Sequence, residues 1–198
     1  MEIAARRPYR MDARAASAAR TGERILDATA ELFWELPGEQ LSLDEVARRA
    51  GVTVQTVIRR FGGRDGLLAA AGEREAARIR DQRDQAPVGD VPTAVRLLVD
   101  HYETYGDRVL RLLADERRVH GLAEIAERGR AVHQEWCARV FAPALEGRPS
   151  VERRRRLAQL VAVCDVYTWK LLRRDAALSR RQTELAIAEL LQPFMEGL

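Results

Sequence analysis

The sequence predicts an all-α protein: a three-helix head carrying a helix-turn-helix, then a larger helical bundle. Apolar residues recur every three to four positions through most of the 198 residues, the period of one buried helix face. Glycines, prolines and Ser/Thr caps fall between these stretches, where helices stop and start. No strand-like alternation, internal repeat or low-complexity tract competes with that pattern.

Residues 1–19 lack apolar periodicity and carry Arg6, Arg7, Arg10 and Arg14. They read as a mobile basic arm, with a disordered leader and a minor-groove contact both open. A head is expected over 20–68. Ile25, Thr29, Leu32/Phe33 and Leu36 give its first helix, which Pro37-Gly38 ends. Ser42 followed by Glu45 is a capping-box signal, so a second helix starts near Leu43 with Val46 and Ala47 inward. Gly51 supplies a tight turn. Thr53 then caps a third helix, in which Val57 and Phe61 point inward while Gln55, Thr56, Arg59 and Arg60 lie on other faces.

Two short helices around a glycine turn, the second bearing Gln, Thr and Arg, suit a recognition helix in a DNA major groove. The competing reading is a bundle hairpin with a solvated arginine face. Charge placement favours DNA: Arg48, Arg49, Arg59, Arg60 and Arg64 occur in 48–64 without an acid, whereas 23–45 hold seven acids against Arg24. That segregation predicts an electrostatic footprint along one edge of the hairpin.

The stretch Gly51 to Leu68, GVTVQTVIRRFGGRDGLL, resembles the DNA-binding domain of the TetR family, whose pattern is roughly G-V-S-x-G-T-L-Y-x-H-F-x-S-K-E-x-L-L. RILDATAELFWE upstream resembles the family's first helix, so the motif match runs from about Arg20 to Leu68. The resemblance implies a dimeric, ligand-responsive transcriptional regulator, most often a repressor, binding a palindromic operator in double-stranded DNA and released by a small-molecule effector. The departures are specific. Ile58 stands where the family has tyrosine, Arg60 replaces a histidine with a permanent charge, and Gln55 brings an amide that pairs with adenine N6 and N7. Arg64 and Asp65 replace a Lys-Glu pair. The expected DNA-facing set is Ser42, Thr53, Val54, Gln55, Thr56, Ile58, Arg59, Arg60 and Arg64, with Arg60, Arg64 and Thr56 on the backbone and Gln55, Arg59, Val54 or Ile58 on base edges.

A connecting helix is expected to run to about Gln85. APVGDVP, residues 86–92, reads as a linker, and 86–198 as an effector-binding and dimerisation domain. Pro92 opens a helix to about Tyr105, Gly106-Asp107 opens another, and Gly121 breaks the chain. A longer helix then runs toward Leu145 with Ile125, Val132, Trp136 and Val140 on one stripe, and Gly147–Pro149 form a loop. Ser150 starts the next helix, and Ser179-x-x-Gln182 is the capping box of the last. Leu98, Tyr102, Tyr105, Val132, Trp136 and Tyr167 put apolar faces and a few polar donors together, so Tyr102, Tyr105, Trp136 and Tyr167 are candidate effector-pocket residues, with ordinary core the alternative. Apolar residues on the final two helices exceed one stripe. Leu157, Val161, Cys164, Leu171, Leu190, Leu191 and Phe194 are therefore a candidate homodimer interface, which the resemblance also implies.

Cys137 and Cys164 are too few for a disulfide framework and read as buried thiols. Net charge is +3, and Lys170 is the one lysine among 33 basic residues. No stretch approaches a membrane span and no leader is apparent, so a cytoplasmic protein with no membrane partner is expected. Glu116, His120 and Glu124 repeat every four residues, but Gly121 interrupts the helix that would align them as metal ligands. No nucleophile elbow, P-loop or Cys/His spacing is present. The sequence supports no catalytic residues, metal or cofactor. Two other classes stay open: a ligand-binding or scaffolding bundle that has lost DNA binding, and a helical-bundle metalloenzyme.

Overall fold

A computed structural model of the chain describes residues 6–35 and 41–196, all helical or in turns between helices. The order is α1 (Arg6–Glu35), α2 (Leu43–Ala50), α3 (Val54–Phe61), α4 (Arg64–Arg83), α5 (Val91–Asp115), α6 (Leu122–Val140), α7 (Ala142–Leu145), α8 (Ser150–Val163), α9 (Val166–Lys170), a π-helical turn (Leu171–Asp175) and α10 (Arg180–Met195). The chain divides into two compact units, a head to Glu75 and a body from Ala76.

In the head, Ile25, Leu32, Val46, Val57 and Leu67 are fully buried. Thr29 joins them because its hydroxyl donates to the Ile25 carbonyl at 2.7 Å, which satisfies that group inside the core. The first helix begins at Arg6 rather than near Arg20, so 6–19 are helical where the sequence suggested an irregular arm. A missing apolar stripe argues against burial, not against helix, and this segment is rich in alanine and arginine, both strong helix formers. Leu36 and the Pro37-Gly38 stop lie outside the described residues.

The body packs around Leu98, Trp169, Phe141, Leu160, Ile187 and Leu191. The expected linker falls inside this unit. Ala86 is fully buried in its core, and the Gly89 N–H donates to the Val140 carbonyl at 2.8 Å. The stretch is a packed corner leading into α5, which Asp90 caps by accepting from the Thr93 N–H at 3.0 Å. Gly106 does not open a new helix; α5 runs through it. The ring of Trp169 occupies the place of a side chain there, its nearest atom 2.5 Å from where a Cβ would lie. Gly121 does interrupt the chain, in the left-handed region at φ 87.

The long apolar stretch from Leu157 to Leu172 is not one helix. Cys164 ends α8, and Asp165 restarts the chain by accepting from the Tyr167 N–H at 2.9 Å. The expected capping box of α10 forms in full between Ser179 and Gln182. Among the described residues no helix is long and apolar enough to cross a membrane.

Candidate nucleic-acid interface

The hairpin forms through local chemistry. Ser42 Oγ accepts from the Glu45 N–H at 3.2 Å and starts α2. The Glu45 carboxylate does not return to close the box, because it pairs with Arg48 instead. Gly51, at φ 64, ends α2 through its N–H on the Arg48 carbonyl. Thr53 Oγ1 accepts from the Thr56 N–H at 3.2 Å and lies 2.9 Å from the Thr56 hydroxyl, so the two threonines hold the first turn of α3 together. Val57 is fully buried and Phe61 half-buried, which turns Gln55, Ile58, Arg59 and Arg60 outward. Ile58 is 38 % exposed, an apolar side chain presented between polar ones.

Burial of α3 needs two close approaches. A Cβ at Gly66, in the first turn of α4, would land on the Phe61 carbonyl oxygen. On the other side the Arg60 guanidinium carbon lies 2.7 Å from the place of a Cβ on Gly22 of α1. The absence of a side chain at Gly22 lets Arg60 lie against the first helix while staying exposed. Neither glycine sits in a turn motif, so nothing in the sequence singled them out.

Charge is arranged differently in space than along the chain. Arg49 forms ion pairs with Glu31 at 3.2 Å and Glu35 at 2.7 Å, joining α2 to α1, and Arg48 pairs with Glu45. These partners hold the Glu45 carboxyl below its usual range and raise the Arg48 and Arg49 guanidiniums. The acids upstream therefore neutralise part of the expected footprint instead of lying apart from it. Arg64 is half-buried, and its Nε donates to the Leu41 carbonyl at 3.1 Å, tying the start of α4 to the start of the hairpin. Arg59 and Arg60 have no acidic partner among the described residues. The positive surface of the hairpin narrows to α3 itself.

In the body, the candidate pocket residues separate. Tyr102 is buried and donates its hydroxyl to the Cys164 carbonyl at 3.0 Å, Trp136 is buried with its indole N–H on the Arg83 carbonyl at 3.1 Å, and Tyr105 is half-buried. Tyr167 points outward at 52 % exposure, because α9 starts afresh at Asp165 and turns that residue off the core stripe. It belongs to the surface, not to the cluster around Tyr102. The candidate interface residues also divide. Cys164 and Leu191 are fully buried in the body's own core, Leu157, Val161 and Phe194 pack half-buried against it, and Leu171 and Leu190 are exposed at 59 % and 48 %. Cys164 and Leu191 are thus core residues of one chain.

A buried polar cluster that the sequence reading passed over lies beside Tyr102 and Trp136. The Arg83 guanidinium is 2.9 Å from His133 Nδ1 and sits over the rings of Trp136 and Tyr102 at 5.2 and 5.9 Å. Because guanidinium only donates, His133 accepts at Nδ1 and carries its proton on Nε2, which faces the Val161 carbonyl at 3.3 Å and Cys137 Sγ at 3.8 Å. The Cys137 thiol, hydrogen-bonded by Cys164 and His133, is lowered, while the hydrogen bond to Cys137 and then burial push the Cys164 thiol up. Glu116 and His120, by contrast, do not align with Glu124: Gly121 turns the chain between them, and Glu116 pairs with Arg130 at 2.8 Å.

The head is a helix-turn-helix of the kind that reads DNA, and it is followed by a helical body. Residues 25–71 match the family model for bacterial regulatory proteins, tetR family. The tetR-type DNA-binding domain is thereby matched over the head, from the middle of α1 into α4. Among solved structures the chain is similar to a transcriptional regulator from Rhodococcus sp. Rha1, with 21 % identity over 89 % of this chain and 96 % of that one at a TM-score of 0.67. It is also similar to a TetR-family regulator from Mesorhizobium loti, with 17 % identity over 90 % and 96 % at 0.62. A third likeness is to NalD, the secondary repressor of the MexAB-OprM multidrug efflux pump in Pseudomonas aeruginosa, with 22 % identity over 92 % and 97 % at 0.56. These likenesses concern the fold. No curated protein matches the chain.

Proposed function

We propose that the protein is a homodimeric repressor that binds a palindromic operator through α3 and is released by a small-molecule effector bound in the body. The observation that carries the reading is α3: a capped, two-turn helix whose exposed side presents Gln55, Ile58, Arg59 and Arg60 with no acid among them. Arg60 contacts backbone phosphate, with Ser42, Thr53, Thr56 and Arg64 beside it at the hairpin's two helix starts and the start of α4. Gln55 and Arg59 reach base edges, Val54 lies beside them, and Ile58 meets a thymine methyl. Two heads are needed because one short helix covers one half-site, and a dimer sets the spacing of two, at about one DNA turn (~34 Å) or a multiple.

Leu171, Leu190, Tyr167 and Leu185 are large apolar side chains left exposed on α9, the adjoining turn and α10. They support that segment as the place where two bodies meet, with Leu157, Val161 and Phe194 behind it. Effector binding favours a body conformation in which the heads have the wrong spacing, so release follows from differential affinity for the two states. Selecting duplexes from a random pool at fixed salt tests the reading. A palindromic consensus is expected, and a protein that enriches and retards no duplex at low salt is a bundle without DNA binding. With the consensus in hand, Gln55→Ala should relax preference at one base pair per half-site. Uniform loss at every position would remove Gln55 from the readers.

A further inference from the structure

Arg83, the last residue of α4, is 3 % exposed, and His101 of α5 is 4 % exposed. Both sit in the buried cluster with Tyr102, Trp136 and His133. Among the described residues no carboxylate pairs with Arg83: its side chain meets the His133 ring and two aromatic faces, and its Nε has no hydrogen-bond partner. His101 Nδ1 is likewise unpartnered, though the ring packs against Tyr102 and Tyr105 at 5.4 and 5.2 Å. Some charge is offset because Arg83 lies at a helix C-terminus. Yet its own carbonyl is taken by Trp136 and by Arg139, a second cation whose acid is Asp84 at 2.9 Å.

A buried guanidinium without an anion is costly, and a chain that needed only packing there would be more stable with an apolar side chain. The Arg83 Nε–H leaves a demand for an acceptor that the protein does not fill, and the unpartnered His101 Nδ1 can meet the same acceptor in the tautomer that carries its proton there. The surrounding Tyr102, Tyr105 and Trp136 rings offer apolar contact to whatever brings that acceptor. We infer that this cluster is the effector site and that its ligand is a carboxylate with an apolar body, the carboxylate seated on Arg83 with His101 and the body against the aromatic rings. The inference rests on the proposed effector-responsive regulator and names the chemical class of its effector. Arg83 fits the task because guanidinium matches a carboxylate's geometry with paired donors.

Calorimetry on the full-length protein with 1-naphthoate and decanoate, each against its neutral amide, tests the site without DNA. Saturable binding of at least one carboxylate is expected, with the matching amide weaker by tenfold or more. Equal binding of acid and amide, or of neither, overturns the inference. Arg83→Met should raise the melting temperature of the ligand-free protein and abolish carboxylate binding. A lowered melting temperature would make Arg83 a structural cation and overturn the site. His101→Phe keeps a ring in place, so it should fold and bind the carboxylate about tenfold more weakly; unchanged binding would remove His101 from the site and overturn the paired seat. Retardation of the selected duplex in the same carboxylate separates the two proposals. Carboxylate binding by a protein that never retards DNA would sink the regulator reading alone. DNA binding without carboxylate binding would sink this one alone.

Discussion

Arg49 and Arg60 are both exposed arginines of the hairpin, and what separates them is partner rather than type. Arg49 is held by two glutamates of α1, so its charge is spent inside the head, whereas Arg60 lies over Gly22 with no acid beside it. Each phosphate neutralised by a cation lowers the slope of log affinity against log salt by roughly one unit. Arg60→Ala should therefore weaken binding to all duplexes and flatten that slope by about one, while Arg49→Ala leaves it unchanged. Equal slopes for the two variants in a salt titration would contradict this assignment. His101 carries the second prediction at this scale. Burial first, then Arg83 and His133, lower its pKa from 6.5 to about 3, so the folded protein keeps it neutral where the unfolded chain takes up a proton. Its share of stability is complete above pH 6.5 and is lost as pH falls toward 3, by up to about 1.4 kcal/mol per pH unit. Urea melts across that window should show a steeper acid loss for the wild type than for His101→Phe, and identical profiles would mean that the imidazole is not kept neutral.

At the scale of elements, glycine shows what a sequence reveals and what it hides. Gly51 was legible because a turn between two capped helices needs a left-handed residue, and Gly121 was legible as a break. Gly106 was misread as a helix start because its role comes from a residue far along the chain, Trp169, whose fully buried ring fills the space above it. Local signals report caps and turns; they do not report which distant side chain needs room. The same limit explains Glu45, whose capping partner was predicted and whose competing partner Arg48 was not, and the linker 86–92, where proline and glycine marked a corner that the body then packed. Cys164 and Leu191 stood among the interface candidates, with the body's own core as the alternative, for a related reason: excess apolar surface is visible in sequence, but which of those residues one core absorbs depends on the break at Asp165. Gly106→Ala should force the α5–Trp169 contact apart and cost about 1–3 kcal/mol. The measurement is a lower urea midpoint with the slope retained; an unchanged midpoint would show that the ring moves aside freely.

For the whole molecule, the head and body each have their own buried core, and α4 gives its first part to one and its last part to the other. Arg83, at the body end of that helix, is thus on the same continuous helix as Arg64, which fastens the start of the reading hairpin's neighbour through Leu41. On the proposed reading, operator affinity depends on two heads acting together, because binding of the second head is intramolecular once the first is seated. If the exposed side chains of α10 and the turn after α9 join two bodies, charges placed there should separate the copies without disturbing either core. Leu171 and Leu190 suit that experiment because both are largely exposed in one chain, so replacing them removes little from the body's own packing. The double variant Leu171→Glu, Leu190→Glu is expected to keep its helical circular dichroism and its melting transition, to sediment at half the wild-type mass, and to lose at least tenfold in affinity for a two-half-site duplex. Its affinity for a single half-site should equal that of the wild type. A variant that sediments as a dimer would move the interface away from this face, and a monomer that still binds the palindrome as tightly as the wild type would detach dimerisation from DNA recognition.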